Sequence, residues 1–356
     1  MDGGEIIRHP WETAPAEATA TEVAPGVLWL RLPLPMVLDH VNVYALDEGE
    51  SWTVVDTGIR SRRAIALWED ILAGPLAGRP VSRVIATHHH PDHIGMAGWL
   101  MERFGAGLWA SRTSWLMARM LILDEEDRPT PQALAFWRAG GMDPEILAAR
   151  AQRRPFNFAD TCAKLPVGYR RLQEGEVIRA GGRDWDVRMG GGHAAEHVTL
   201  WSKGDSLVIA GDQILPGISP NIGVYPTEPE ADPLSDWLAA CDRLSAPARE
   251  GHLVLPGHKL PFTGLPVRMR HLAENHHAAL DRLRDFLTDP HTAAECFPLL
   301  FRRKVDAGTY GLALVEAVAH LNHLHHRGEV TRRRRADGAW LWQIAAAQEP
   351  QPPLGA

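Results

Sequence analysis

The segment "THHHPDHIG" (residues 87–95) sets four histidines and an aspartate between residues 88 and 93, at the end of the apolar run "VSRVIAT". Imidazole is the commonest metal ligand, and so many titratable groups at one strand end call for a divalent cation. A full coordination shell needs partners from elsewhere in the chain. The fold must therefore bring several strand ends to one edge, as α/β sheets do. Three further groups each follow a short apolar run. They are His193 after "WDVRMGGG", Asp212 after "SLVIAG" and His258 after "HLVLPG". With His88, His90, Asp92 and His93 they make five imidazoles and two carboxylates. That N/O mixture suits borderline divalent ions such as zinc.

The rest of the sequence fits such a fold. "GVLWLRLP", "VNVYALDEG" and "SWTVVDTG" read as strands. "SRRAIALWEDILAG" has helical spacing, with Ser61 as N-cap and Gly74 as stop. "VSRVIATH" reads as a buried strand, "HIGMAGWLMERFG" as a helix and "GLWAS" as a strand. This alternation predicts an α/β sandwich. Residues 111–166 read as a helical insert with caps at Thr113, Thr130 and Asp143. Strand texture returns in "EGEVIRAGGRDWDVRMGGGH", whose Gly-Gly suits a hairpin turn. "DPLSDWLAACDRLSA" is helical. From about residue 264 helices dominate again, closing on "EVTRRRRADGAWLWQI", two β-like runs around an Ala-Asp-Gly turn. The expected organisation is a main domain over 1–263, a winged-helix-like domain over 264–346 and a disordered tail over 347–356.

Composition excludes some functions. Apolar residues make up 45% and charged residues 23%, the profile of a folded globular chain. The formal charge of −7 gives no global basic field for nucleic acid. Cys162, Cys241 and Cys296 are far apart and form no Cys-x-x-Cys pair, which fits a reducing cytoplasm. The start, "MDGGEIIRHPWETAPAEATA", is acidic and lacks an apolar core. No stretch is long and apolar enough to span a bilayer, so a cytoplasmic location without a membrane partner is expected.

The ordered set His-x-His-x-Asp-His, Gly-His, Gly-Asp and Pro-Gly-His resembles the motifs of the metallo-β-lactamase superfamily over roughly residues 25–260. Asp56 in "VVDTG" matches the first motif, and His88, His90, Asp92 and His93 the second. His193, Asp212 and His258 match the third, fourth and fifth. The resemblance implies an αββα sandwich with two divalent ions, zinc first, with iron or manganese as alternatives. It implies that His88, His90 and His193 hold one ion and Asp92, His93 and His258 the other. Asp212 would bridge them, and Asp56 would fix the histidine loop by hydrogen bonds. Two cations sharing a water would lower its pKa from about 16 towards neutrality and supply hydroxide for attack on an activated carbonyl. Asp92 and Asp212 are the carboxylates nearest that chemistry.

Other residues carry weaker signals. His89, in the variable position of His-x-His, reads as structural. His197 in "GHAAEH", Lys259 after the last ligand, Tyr225 in "SPNIGVYP" and Trp137 in the insert are candidate substrate contacts. The segment after His193 departs from the Thr-Pro-Gly common in the family. "NHLHHRG" at 322–328 is expected to have no carboxylate set around it and reads as a polar helix end. The C-terminal module and "SPNIGVYP" are similar to a glyoxalase-II-like branch that includes thioesterases and an endoribonuclease type. Three functions follow as expectations. The first is hydrolysis of a thioester, ester or lactone. The second is an endoribonuclease or other phosphodiesterase, and the third a DNA-binding regulator with a ligand-sensing metal domain. The run Arg332–Arg335 favours the latter two, and otherwise serves as a solvated hairpin or a contact in a homodimer.

Overall fold

A computed structural model describes residues 6–301 and 304–346. The expected tail at 347–356 lies outside the described residues. The chain forms two compact units. The first is drawn from Met1–Asp127, Arg154–Asn221 and Asp236–Ala273, the second from Arg128–Arg153, Ile222–Ser235 and Glu274–Ala356.

The first unit contains two mixed sheets. One has seven strands in sequence order: β1 (Thr21–Ala24), β2 (Val27–Pro33), β3 (His40–Asp47), β4 (Trp52–Val55), β5 (Val81–Ile85), β6 (Gly107–Ala110) and β7 (Arg170–Arg171). Pairing is antiparallel from β1 to β4 and parallel from β4 to β7. The other sheet joins β8 (Val177–Ala180), β9 (Arg183–Gly190), β10 (His197–Ser202), β11 (Leu207–Gly211) and β12 (Leu253–Pro256). The β8–β9 turn is Gly181-Gly182, both at positive φ (58° and 70°), as the expected two-residue hairpin requires.

Alternation along the strands explains how both faces of the first sheet are buried. Trp29, Tyr44, Val55 and Ile85 pack against Trp185, Val187, Leu200 and Ile209 of the second sheet. Their neighbours Leu30, Val43, Val54 and Val84 face the other way. There they meet Leu67, Trp68 and Ile71 of α1 (Arg62–Ala73) and, beyond the short α2 (Pro91–Ile94), Leu100 of α3 (Ala97–Phe104). The β11 and β12 strands are parallel. The intervening chain contains a helix whose Arg243 donates to the Met189 carbonyl of β9 (3.2 Å). The layering is the αββα sandwich expected from the sequence.

The helices of residues 111–166 divide between the units. α4 (Arg112–Leu123) and α7 (Phe158–Thr161) belong to the first, α5 (Pro131–Ala139) and α6 (Pro144–Ala151) to the second. Thr130 and Asp143 cap α5 and α6 as predicted. The cap of α4 is Ser111 rather than Thr113: its Oγ accepts from the Ser114 amide (3.1 Å). In "SRTS" several hydroxyl residues can cap, and the local pattern alone does not select among them. α8 (Pro233–Ser245) buries Trp237, Cys241 and Leu244.

Within the second unit, α9 (Leu265–Phe286), which begins in the first, is followed by the one-turn α10 (Phe297–Leu300) and by α11 (Tyr310–His326). The chain then forms an antiparallel hairpin, β13 (Val330–Arg334) with β14 (Trp340–Ile344). Contrary to the expectation from sequence, a carboxylate does lie against the histidines that end α11, because the fold brings Asp232 to His323 from a distant part of the chain. His323 meets Asp232 (3.0 Å), His325 Nδ1 the Val330 carbonyl (3.0 Å) and His326 Nε2 the Glu230 carbonyl (2.8 Å). Burial pushes the thiols of Cys162, Cys241 and Cys296 up to about 12, so all three stay protonated. Among the described residues no helix is long and apolar enough to cross a membrane.

Candidate metal centre

The centre is built outward from Asp56, which follows β4 in a left-handed conformation (φ 61°). Such a backbone is uncommon for a non-glycine residue and concentrates at functional sites. It turns the carboxylate onto the histidine loop. Asp56 accepts from the Thr87 amide (2.8 Å), the Thr87 hydroxyl (2.8 Å) and His93 Nδ1 (2.8 Å). The Thr87 hydroxyl has one hydrogen and gives it to Asp56. Its lone pair then accepts from His88 Nδ1 (3.0 Å). On other elements, His193 Nδ1 donates to the Asn221 carbonyl (2.8 Å) and His258 Nδ1 to the His40 carbonyl (2.7 Å). Four rings thus have Nδ1–H tied to an acceptor, which leaves the Nε2 lone pair of each for the interior.

Those lone pairs converge. His88 Nε2 lies 2.9 Å from His90 Nδ1. His93 Nε2 lies 3.4 Å from Asp212 Oδ1 and 3.5 Å from Asp92 Oδ2. His258 Nε2 is 3.2 Å from Asp212 Oδ2 and 3.3 Å from Asp92 Oδ2, and His193 Nε2 is 3.6 Å from Asp212 Oδ2. Most of these separations are long for hydrogen bonds. They match neighbouring ligands on a tetrahedral ion with arms of about 2.0–2.1 Å, whose edges are about 3.3 Å. His93 Nε2, His193 Nε2 and Asp212 Oδ1 are buried and have no hydrogen-bond partner. Three groups, His88–His90–His193, Asp92–His93–His258 and His88–His93–Asp212, each keep their offered atoms within 4.8 Å of one another. The first two are the sets expected for two ions, and the two oxygens of Asp212 face different imidazoles. The donor set fits divalent metal. Gly257 keeps the cradle open: a Cβ there would lie 2.2 Å from Asp212 Oδ1 and 2.8 Å from His93 Cε1.

The electrostatics divide the imidazoles into two kinds. Burial, followed by the neighbouring imidazoles, holds His88 and His90 well below the ordinary histidine range. Burial also lowers His193, against the pull of Asp212. These three are held neutral, the form a metal ligand requires. For His93 and His258 burial acts downward too, but the carboxylates outweigh it. Asp212, Asp92 and Asp56 raise His93 well above its usual value, and Asp212 with Asp92 raises His258 to about 10. Burial would raise Asp212, yet His258 and His93 hold it well below the carboxylate range. The carboxylates therefore hold protons on the same lone pairs that a cation would take.

Other sequence candidates fall differently. His197 does not line a groove: it is fully buried and stacks on His88 (centroids 4.6 Å apart, 24° between planes). Its Nε2 accepts from the Asp212 amide (3.1 Å), and burial lowers its pKa to about 3, which keeps it an acceptor. It reaches the centre through Asp212 and not through solvent. His89 stacks on Phe158 (6.4 Å, 12°), consistent with a structural role. Lys259 is exposed at φ 68°, with its amide donating to His40 Nε2 (2.8 Å). Tyr225 and Trp137 belong to the second unit, where Tyr225 is exposed and the Arg150 guanidinium lies 5.6 Å from the Trp137 ring.

Several supporting residues are not evident from the metal motifs. Asn42 donates to the carbonyls of Pro256 (2.9 Å) and Lys259 (2.7 Å), and the Tyr44 hydroxyl to that of Pro256 (2.8 Å), so the chain around His258 is held from β3. The spacing of His40, Asn42 and Tyr44, polar-tipped groups on one face of an apolar strand, is the signal that marks them. After His193 the loop is anchored by Glu196, which accepts from the Thr113 amide at the start of α4 (2.7 Å).

A sandwich carrying this constellation is that of a metal-dependent hydrolase, and the chain belongs to the metallo-beta-lactamase superfamily, whose family model matches residues 36–289. A second family, "Metallo-beta-lactamase-like, C-terminal domain", matches residues 280–345. A crystal structure of a beta-lactamase domain protein from Burkholderia ambifaria is 38% identical, with a TM-score of 0.87 over 95% of this chain and 98% of that one. The probable metallo-hydrolase YqjP of Bacillus subtilis is 24% identical over 86% of this chain and 94% of its own length. The human acyl-coenzyme A thioesterase MBLAC2 is 25% identical over 70% of this chain and 84% of its own.

Proposed function

We propose that the chain hydrolyses thioesters or closely related activated esters, with two divalent ions, zinc first, and that it stands in the glyoxalase-II-like branch of its family. The observation that carries the reading is the convergence of seven ligand-type side chains, three of which present buried inward atoms without a hydrogen-bond partner. When bound, divalent ions supply Lewis acidity and a water of lowered pKa. The chain supplies the rest. Asp56, Thr87 and the carbonyls of His40 and Asn221 fix which nitrogen each ring presents. Asp92, the more open carboxylate (side chain 20% exposed against 8% for Asp212), would take a proton as the nucleophile attacks. MBLAC2 is named as a thioesterase, which supports the substrate class. The substrate is then a small molecule, and a cytoplasmic setting and a winged-helix-like reading of the C-terminal module are kept with this proposal.

The phosphodiesterase alternative drew on Arg332–Arg335. Arg332 pairs with Glu230 (2.6 Å) and Arg335 with Asp337 (2.8 Å), so two of the four charges are neutralised. The test is a hydrolysis screen of the metal-loaded protein over acyl-CoA and glutathione thioesters, lactones and single-stranded RNA. Thioester turnover that disappears on chelation supports the reading. Cleavage of RNA alone rejects it.

A further inference from the structure

The second unit contains a cavity of about 310 Å³, none of whose lining residues belongs to the metal-ligand set. One face of the β13–β14 hairpin forms part of its wall, with Arg332 opposite Trp342 and Arg334 opposite Trp340. Residues two apart on a strand share a face, so all four side chains stand on the same side. Phe136 of α5 and Val318 of α11 add apolar wall.

Two buried polar atoms at this cavity are left open. Asn322 of α11 is 1% exposed, and its amide nitrogen donates to the carbonyls of Pro229 (3.0 Å) and Ala231 (2.9 Å). Two carbonyl acceptors fix which end of the amide is nitrogen. The oxygen, Oδ1, is buried without a hydrogen-bond partner. Trp342 is 2% exposed, and its indole Nε1–H likewise has no partner. Both residues line the cavity, and just beneath its surface they keep an unmet acceptor and an unmet donor, although buried polar groups are ordinarily paired.

The charge is arranged to match. Guanidinium carbons of Arg332 and Arg334 lie 4.6 Å and 4.3 Å from the Trp340 ring centroid, and Arg332 also lies 5.2 Å from that of Trp342. Stacking orders an arginine while leaving its N–H edge free for an anion. Arg332 is paired with Glu230, which also lines the cavity. Arg334 bonds the Gly338 carbonyl (3.2 Å) and has no carboxylate partner among the described residues. The arginines against Glu230 leave one net positive charge.

We propose that this cavity binds a small planar organic anion, an aromatic carboxylate that also carries a hydrogen-bond donor and an acceptor. The carboxylate meets Arg334, the ring lies against the apolar wall, and a small shift of the Asn322 and Trp342 side chains on binding brings the polar edge to Oδ1 and Nε1–H. The volume is at the lower end of small-molecule sites, which fits one ring or two fused rings. The inference does not rest on the thioesterase reading.

The test uses the full chain and three probes, salicylate, 4-hydroxybenzoate and anthranilate, with 4-hydroxybenzamide as neutral counterpart. Calorimetry and ligand-detected NMR should show saturable binding of at least one acid. Arg334→Gln, at an exposed position, should weaken it roughly tenfold or more, as loss of a charge-assisted contact implies. The amide should bind less well than its acid, and Trp342→Phe should weaken binding while keeping the ring. Zinc content of Arg334→Gln should match the parent. No saturable binding by any acid overturns the proposal, as does binding indifferent to Arg334→Gln. So does a crystal grown with the best probe in which only water meets Asn322 and Trp342. If Trp342→Phe does not fold, the Arg334→Gln and amide arms still decide.

Discussion

Both units bury histidines, and they do opposite things with them. In the second unit His276 Nδ1 donates to His320 Nε2 (3.1 Å), and His320 Nδ1 donates to the Glu316 carbonyl (2.8 Å). Burial holds these rings at about 3 and about 4, so both are neutral and packed. In the first unit the outer nitrogens are tied down in the same way, but the inner ones face carboxylates and each other at distances that suit a shared ion. A buried imidazole is therefore no sign of a ligand by itself. The sign is an inward lone pair left unmet, with a carboxylate beside it and an acceptor behind it.

The comparison breaks most sharply at Asp212. Asp212→Ala should cut thioester turnover by more than about a hundredfold, since even outer partners of metal ligands cost 10–100-fold. Circular dichroism should still show the sandwich, because neither sheet core contains this carboxylate. Near-normal turnover of the metal-replete variant would show that the two oxygens of Asp212 do not serve two ions.

Next comes Asp56, which touches no substrate in this account. Asp56→Asn removes the charge behind His93 and leaves the side chain's size. Metal affinity, read by competition with a chromophoric chelator, should fall about 10–100-fold. Unchanged affinity would make Asp56 a turn residue and nothing more.

The histidine pair of the second unit should respond to pH and not to metal. In the unfolded chain both rings titrate near 6.5, while in the folded chain they resist protonation until about 4 and about 3. Between those values the unfolded state binds more protons, so stability is full above about pH 6.5 and falls as the pH drops towards 4. Melting of the zinc-loaded and the chelated protein should both show this slope, and His320→Phe should make it shallower by the share of one ring. A slope untouched by that substitution would assign the acid sensitivity elsewhere.

The smallest effect is expected at Lys259, which is exposed beside the last ligand. Lys259→Ala should change KM for an anionic thioester a few-fold and leave kcat alone, as loss of uniform binding does. A fall in kcat with KM unchanged would place the ammonium in the transition state instead.

Much of the first unit was legible in the sequence because its ligands close apolar strands. A run such as "SLVIAG" marks both the strand and the edge at which Asp212 emerges. What surrounds the ligands was harder to read, because support comes through tertiary contacts. The carbonyls of His40 and Asn221 have no side-chain signature, although they fix His258 and His193. His197 looked available to substrate because periodicity along β10 does not reveal that its ring stacks on His88. The helical texture of residues 111–166 was readable, and its division between two units was not: helical spacing shows which face is apolar, not what it packs against.

The central claim is that the seven side chains of the first unit hold two ions. Anomalous scattering at the zinc edge, from crystals of metal-replete protein, tests it most directly. Two peaks are expected, one bounded by His88, His90 and His193 and one by Asp92, His93 and His258, with Asp212 reaching both. A single fully occupied peak with Asp92 or His258 turned away would contradict it.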